Sequence, residues 1–281
     1  MRPKIAVSTM TNCQSFFDDG AYEAIRKLKM RGIDCIEISQ HIQFNQDTIP
    51  EILQAVEDFD MEICAMSGRY DGIFPHKGLP PHQGIKLKSY SLEADYKELV
   101  EYMKKFKCRY LRFAGFPCEH LVDEQVMRQY MQGLAEIVKR YRQAGIVVCA
   151  HNHTGEFMRL GGRTLYDWSL ELVPDLMYEV DVLNAQKSGV NPAELIRKVG
   201  KRAVLTHLQD IRVKPAVVGE TGGGRELQPV GVGDGNLDYA AICAAAVEAG
   251  TQYLILEQGA FYGEDPYGCI ERSARKLNSF L

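Results

Sequence analysis

Residues 146–157 read IVVCAHNHTGEF, a short apolar run followed directly by polar side chains. Five apolar residues in a row suit a strand that is buried on both faces, as in a parallel sheet. Similar runs occur at residues 177–182 (MYEVDV), 204–210 (VLTHLQD) and 253–258 (YLILEQ). Each of the four runs carries, at or near its end, a carboxylate or an imidazole that can bind a metal or move a proton. We therefore expect the four ends to meet at one site.

The whole chain repeats this pattern. The predicted strands are residues 5–11, 35–40, 62–68, 110–115, 146–153, 177–182, 204–210 and 253–258. The helical patterns are residues 22–30, 49–59, 94–106, 124–144, 165–173, 192–199, 237–249 and, last, 267–280. Eight strands that alternate with helices predict an α/β fold of the (β/α)8 TIM barrel type.

The length of the chain is compatible with one barrel or with two smaller domains. It has 281 residues, and a TIM barrel takes about 250 as one unit. A doubly wound open sheet is the structural alternative, but no Gly-x-Gly-x-x-Gly follows the first predicted strand to bind a nucleotide. We therefore expect a single barrel domain over residues 1–281.

The composition of the chain argues against a nucleic acid or a membrane as its partner. The 33 basic and 37 acidic residues give a formal net charge of −4, which offers no electrostatic footprint for nucleic acid. No stretch approaches the roughly 18 apolar residues of a membrane span, and the N-terminus has no secretory signal. The eight cysteines include no Cys-x-x-Cys pair. We expect a cytoplasmic protein with reduced thiols, those at positions 35, 64, 108 and 149 being buried as small apolar side chains.

Side chains alternate along a strand, so residues two apart share a face. His151 and His153 therefore point the same way, as do Glu179 and Asp181. Oxygen ligands with one imidazole, converging from several strands, favour a divalent ion such as manganese, magnesium or zinc. Such an ion polarises a carbonyl and stabilises an enediolate, while a nearby histidine or glutamate accepts and returns a proton. The strand ends thus predict metal-assisted proton transfer beside a carbonyl.

The second half of the chain resembles the xylose isomerase-like TIM barrels, also described as sugar phosphate isomerase/epimerase or AP endonuclease family 2 proteins. The motifs that carry the resemblance are residues 151–157 (HNHTGEF), 179–181 (EVD), 189–192 (GVNP), 206–210 (THLQD), 230–235 (VGVGDG), 237–238 (LD) and Glu257. The resemblance implies one divalent metal, manganese before magnesium, cobalt or zinc. It also implies ligands Glu, Asp, His and Glu from strands five to eight, with a polyhydroxy substrate chelating the ion.

Carried over to this chain, the resemblance makes Asp181, His207 and Glu257 the last three ligands. Many family members have Glu-Asn-His on strand five, with the glutamate as ligand, whereas this chain has His151 there and Glu156 five residues later. We expect Glu156 to fold back as the fourth ligand, because a set of two histidines and two carboxylates is uncommon. His151 is then the acid/base. His153 resembles the substrate-binding histidine, and both His153 and Glu257 are further candidates for proton transfer.

Other polar residues are candidates for substrate binding or for pairing. Lys187 and Arg225 lie in loops after strands six and seven and are predicted to bind substrate oxygens. Glu37 and Arg112 lie inside apolar strands, where an unpaired charge is costly, so we expect them to pair or to point into the barrel mouth. The long connections from residue 69 to about 90 and from 211 to about 236, the second with a glycine run at 222–224, are predicted lids.

The predicted function is a divalent-metal-dependent isomerase or epimerase of a sugar, keto-sugar or cyclitol. The alternative is a lyase on the same site, either an inosose-type dehydratase or the catalytic subunit of a C-glycoside-cleaving complex, because both reactions begin with the same proton abstraction. The DNA-repair branch of the superfamily needs more histidines, to bind three zinc ions, and a basic face for DNA. This chain has neither feature, so that branch is disfavoured. A barrel that only binds is disfavoured by the intact ligand set. A homo-oligomer or a small partner subunit is compatible with this interpretation.

Overall fold

The computed structural model describes residues 2–11, 13–39, 48–74, 89–214, 226–259 and 261–281. It contains a closed barrel of eight parallel strands, each paired with the next along the chain and the last paired with the first. The strands are β1 Lys4–Ser8, β2 Cys35–Ile38, β3 Glu62–Gly68, β4 Tyr110–Ala114, β5 Val147–His151, β6 Met177–Asp181, β7 Ala203–Leu208 and β8 Tyr253–Leu256. This confirms the predicted (β/α)8 TIM barrel.

Helices follow the strands. Those in the described residues are α1 Cys13–Asp19, α2 Ala21–Met30, α3 Thr48–Asp58, α4 Tyr96–Lys105, α5 Glu124–Gln143, α6 Leu165–Leu172, α7 Val182–Lys187, α8 Pro192–Val199, α9 Tyr239–Ala249 and α10 Pro266–Phe280. The predicted helices are all present, with ends within two residues of the predicted bounds. The sequence pattern misses α1 and α7, because helices of 7 and 6 residues are too short to show a periodic apolar face.

Local chemistry sets several helix ends, two at the mouth of the barrel and one at the opposite end. Asp181, the last residue of β6, also caps α7, because its side chain accepts the Asn184 N–H at 2.6 Å. Asn191 caps α8 in the same way, with Pro192 at the first helical position. Gly250 ends α9 with φ of 79°, in the left-handed region that favours glycine.

The lumen of the barrel changes character along its axis. Inward-facing residues near the strand N-termini are small or apolar and pack together; they include Ala6, Cys35, Tyr110, Cys149, Leu205 and Ile255. Two residues further along, the same strands place charged or polar side chains inward. The four cysteines predicted to be buried are buried. The apolar half of the lumen therefore supports a polar half at the C-terminal ends of the strands.

The longer connections at that end are described in part. The connection after β7 contains a two-stranded hairpin, Asp210–Val213 paired with Leu227–Val230. Residues 215–225, with the glycine run and Arg225, and residues 75–88 of the connection after β3 lie outside the described residues, so the two predicted lids are described only at their ends. Among the described helices, none has both the length and the apolar character needed to cross a membrane.

Candidate active site

Three side chains meet at the C-terminal ends of β6, β7 and β8. One ligand-type atom each of Asp181, His207 and Glu257 lies within 4.8 Å of the other two. We call these three residues the upper group. His207 Nδ1 is 3.2 Å from Glu257 Oε2. The donor set, two carboxylates and one imidazole, suits a divalent cation.

The Gln209 amide joins the two carboxylates of the upper group. Its Nε2 donates to Glu257 Oε2 at 2.7 Å and to Asp181 Oδ2 at 3.4 Å. Sequence reasoning did not single out Gln209, although it lies within the quoted THLQD motif. A side chain that donates to both carboxylates at once marks a place where positive charge is favoured.

A second set of charged residues lies deeper in the lumen, on β2, β4 and β6. Arg112 Nη2 is 3.0 Å from Glu37 Oε1, and Arg112 Nε is 3.4 Å from Glu179 Oε2. We call Glu37, Arg112 and Glu179 the lower group. All three are buried, and both carboxylates have no exposed surface. The expectation that Glu37 and Arg112 would pair is confirmed.

His207 connects the two groups. Its Nε2 lies 3.1 Å and 3.2 Å from the two oxygens of Glu37, while its Nδ1 faces Glu257. Burial alone would lower the pKa of this ring, but the carboxylates of Glu179, Glu37 and Glu257 outweigh it and raise the pKa well above its ordinary value. Without a cation, the His207 ring therefore carries a positive charge among these carboxylates.

Electrostatics distinguish two possible cation sites. Ligand-type atoms of His151, Glu179 and His207 also lie within 4.8 Å of one another. That deeper set contains Glu179, whose pKa is raised well above its ordinary value by burial and by the charge on Glu37, and Arg112 lies beside it. Arg112 stays charged because the neighbouring carboxylates raise its pKa against the effect of burial. Within the described residues no lysine or arginine forms an ion pair with Asp181 or Glu257, so the upper group is the better cation site.

Burial also changes the acidity of the upper group. It raises the pKa of Asp181 to about 7, even though the Asn184 N–H and the charge on His207 act in the opposite direction. For Glu257, the charge on His207 outweighs burial and lowers the pKa. Asp181 thus holds a proton in mildly acidic solution, whereas Glu257 stays ionised.

His151 lies at the end of β5 beside both groups. Its Nδ1 is 2.8 Å from Glu179 Oε2, and its Nε2 is 3.9 Å from Asp181 Oδ2. Burial lowers the pKa of this ring well below its ordinary value, and the charges on His207 and Arg112 lower it further. The ring is therefore neutral, as a proton acceptor must be. His153 stands next to it at the exposed rim, with 4.9 Å between ring centroids.

Glu156 does not join the upper group, which corrects the expectation that it folds back as the fourth ligand. It is buried, and its two oxygens accept backbone N–H groups, from Phe116 at 2.5 Å and from His153 at 2.8 Å. The turn Gly155–Phe157 directs the carboxylate toward the Phe116 amide in the loop after β4 and the His153 amide in the loop after β5. Neither amide has a partner in a strand. Glu156 therefore ties the two loops together.

A cavity of about 350 Å³ opens beside the upper group. Glu257, Gln209 and Lys187 line it, so the predicted substrate-binding lysine lies in its wall. Arg225, the other predicted substrate-binding residue, lies outside the described residues. Phe261 is the aromatic residue that lines this cavity.

Comparison with known proteins gives a family for this architecture. The sequence matches the family model of the xylose isomerase-like TIM barrel over residues 25–278. Curated protein sequences give no match.

Solved structures share the fold over nearly the whole chain. A sugar phosphate isomerase/epimerase from Parabacteroides distasonis is 20% identical, with a TM-score of 0.70 over 99% of this chain and 94% of that one. The probable 3-DHS dehydratase AsbF from Bacillus anthracis is 17% identical, with a TM-score of 0.65 over 98% of both chains. An L-ribulose 3-epimerase is 12% identical, with a TM-score of 0.67 over 99% and 94%. At these identities the likeness concerns the fold. Because the family model spans most of the sequence, the chain belongs to the xylose isomerase-like TIM barrel family.

Proposed function

We propose that the protein is a divalent-metal-dependent isomerase or epimerase of a sugar, keto-sugar or cyclitol. The observation that carries the proposal is the pair of carboxylates Asp181 and Glu257, which form no ion pair with a lysine or arginine of the described residues, beside the neutral His151 ring. Family membership supports the class of reaction, and the cavity beside Glu257 supports a small polyhydroxy substrate.

Asp181, His207 and Glu257 fit a divalent cation by their donor types and separation. In this proposal they hold one ion, manganese before magnesium, cobalt or zinc. The bound ion supplies Lewis acidity, which polarises a substrate carbonyl and makes the neighbouring C–H more acidic. The Gln209 amide must then move away from Asp181 or keep only its bond to Glu257.

His151 is the proposed acid/base. Glu179 holds its Nδ1, so Nε2 is the atom left to take a proton from the carbon next to the carbonyl and to return it. The buried position excludes water from the ring, which slows exchange of the captured proton. His153 at the rim and Lys187 in the cavity wall bind substrate oxygens, and Glu257 is the further candidate for moving a proton.

A deuterium wash-in assay tests the proposal. Protein with added Mn²⁺ is incubated in D₂O with a panel of keto-hexoses, 3-keto-glycosides and inososes, and deuterium incorporation is followed by NMR. His151→Ala should lower exchange by about 10²–10⁴-fold and leave the metal content unchanged. The matched control His120→Ala removes a histidine that stacks on Phe74 and pairs with Glu119 rather than with a residue of either group, and exchange should persist. A wild-type protein that is folded, binds no metal and exchanges no substrate would refute the function.

A lyase on the same site is the second candidate, and the adjacent His151 and His153 rings favour it. His151 would take the proton, the electron pair would expel a substituent on the next carbon, and His153 would protonate that leaving group. Loss of water or of an aglycone, detected by mass spectrometry together with exchange, would favour the lyase over the isomerase.

A further inference from the structure

Glu37 is a buried carboxylate in the middle of the barrel, surrounded by four polar side chains, those of Arg112, Ser8, His207 and Glu179. Its Oε1 lies 3.0 Å from Arg112 Nη2 and 3.1 Å from Ser8 Oγ, and both of its oxygens face His207 Nε2 at 3.1–3.2 Å. Glu37 has no exposed surface. It therefore has no path to solvent and does not line the cavity beside Glu257.

Burying a carboxylate and a guanidinium takes both ions out of water, and this desolvation cost can exceed the gain from their mutual attraction. The fold does not require the pair, since the same strands carry apolar residues one layer below: Cys35 on β2 and Tyr110 on β4. A function at the adjacent site accounts better for the cost than stability does.

The orientation of the His207 ring gives that function. With Nε2 held against Glu37, the ring turns Nδ1 toward Glu257 Oε2 at 3.2 Å, and a cation bound there would displace the Nδ1 proton. If the ring flipped, Nδ1 would point away from the upper group. A ligating imidazole is commonly held by a carboxylate on its other nitrogen, which fixes the tautomer and makes the ring a better donor.

We propose that Glu37, held in place by Arg112 and Ser8, is a positioning residue that fixes the His207 ring with Nδ1 toward the upper group. The inference rests on the proposed function in assigning a cation to that group. Glu37 does not contact the cation or the substrate. Its effect is on affinity for the ion, transmitted through the orientation and donor strength of one ring.

The test compares Mn²⁺ affinity in matched acid-to-amide variants, by EPR titration of free Mn²⁺. Glu37→Gln keeps the size of the side chain and removes its charge, and we expect affinity to fall by about 10–100-fold. The control is Glu62→Gln, at the opposite end of the barrel, where Glu62 pairs with Lys4 and Tyr253. Its affinity should equal that of the wild type.

A second readout does not depend on the metal. In ¹⁵N-histidine-labelled protein, the wild type should show a protonated Nε2 on His207, assigned by its loss in His207→Gln. Glu37→Gln should shift or exchange-broaden this signal, whereas Glu62→Gln should leave it unchanged. A purely structural role for Glu37 would change stability without moving this ring signal.

Glu37→Gln leaves Arg112 with one carboxylate partner and is the variant most at risk of misfolding. The double variant Glu37→Gln/Arg112→Met removes both charges and leaves no unpaired guanidinium, and Glu179, whose pKa burial already raises, stays protonated; the variant should fold, again with weak Mn²⁺ binding. Affinity within twofold of the wild type in either folded variant would overturn the inference and leave the proposed function standing. A wild type that binds no Mn²⁺ would overturn both.

Discussion

The two halves of the barrel lumen are built from the same strands and differ completely in chemistry. Cys35, Cys149, Leu205 and Ile255 fill the half at the strand N-termini, packed as a small apolar cluster. Two residues later the same strands place Glu37, His151, His207 and Glu257 inward or at the mouth. A period of two lets one strand serve both halves. On each strand, the residue that packs in the core and the residue that lies at the site are thereby only two positions, about 7 Å, apart.

The largest effect should come from the polar half, at Asp181. Asp181→Asn keeps an oxygen that accepts the Asn184 N–H but loses a charged ligand, so we expect Mn²⁺ binding and deuterium exchange to fall by about 10³-fold or more. The measurement is metal content by elemental analysis, together with the wash-in assay. Full metal content in Asp181→Asn would remove this residue from the ligand set.

The same substitution should stabilise the metal-free protein at high pH. A carboxyl with a raised pKa, about 7 here, binds its proton more tightly when folded, so folding stability falls as pH rises from about 4 to about 7. Asparagine does not titrate and avoids that loss. Urea unfolding in EDTA should therefore show Asp181→Asn more stable than wild type by about 1–3 kcal/mol at pH 8, with a smaller difference at pH 5. A difference that grows toward pH 5 would contradict the assignment.

A substitution in the apolar half should lower stability and leave metal affinity unchanged. Leu205 is fully buried on β7, two residues before His207. Leu205→Ala should cost about 2–5 kcal/mol of unfolding free energy, through lost burial and the cavity left behind. At temperatures where the variant is folded, we expect its Mn²⁺ affinity to match the wild type. Loss of metal in a folded Leu205→Ala would show that the two halves are coupled.

The smallest effect on stability is expected at Glu156, which the sequence suggested as a ligand. Glu156→Gln keeps one acceptor oxygen but places an NH₂ donor against the other backbone N–H, of Phe116 or His153, and we expect a loss of about 1–2 kcal/mol in stability. Metal content should stay at the wild-type level. The deuterium exchange rate should fall only to the extent that the substitution displaces His153. Reduced metal content in the folded variant would restore Glu156 to the ligand set.

The sequence predicts the barrel and brings most of the site together. Strand alternation places Asp181, His207 and Glu257 at neighbouring strand ends, where the barrel geometry makes them converge. Their assignment as metal ligands stays a prediction. The sequence also predicts that Glu37 and Arg112 pair or point into the barrel mouth, because an unpaired charge inside an apolar strand is costly, and the structure shows that they pair with each other.

Two parts of the site could not be predicted from the sequence, for physical reasons. Glu156 lies beyond its strand, where period-two alternation no longer applies and the direction of a side chain depends on which amides are free nearby. The contact between Glu37 and His207 crosses the barrel, and neither local sequence pattern refers to the other. Gln209 was missed because an amide alone does not indicate a site.

The long sequence separation between Glu37 and His207 has a consequence for how the protein folds. These residues are 170 positions apart, on strands that become neighbours across the lumen only when β8 pairs with β1. Contacts of such long range are closed late and slowly, because the entropy of a long loop must be lost first. A chain emerging from the ribosome therefore has no complete set of the proposed cation ligands until its last strand is in place. Tight metal binding would then require a closed barrel. It would therefore stabilise closed barrels relative to open ones during folding.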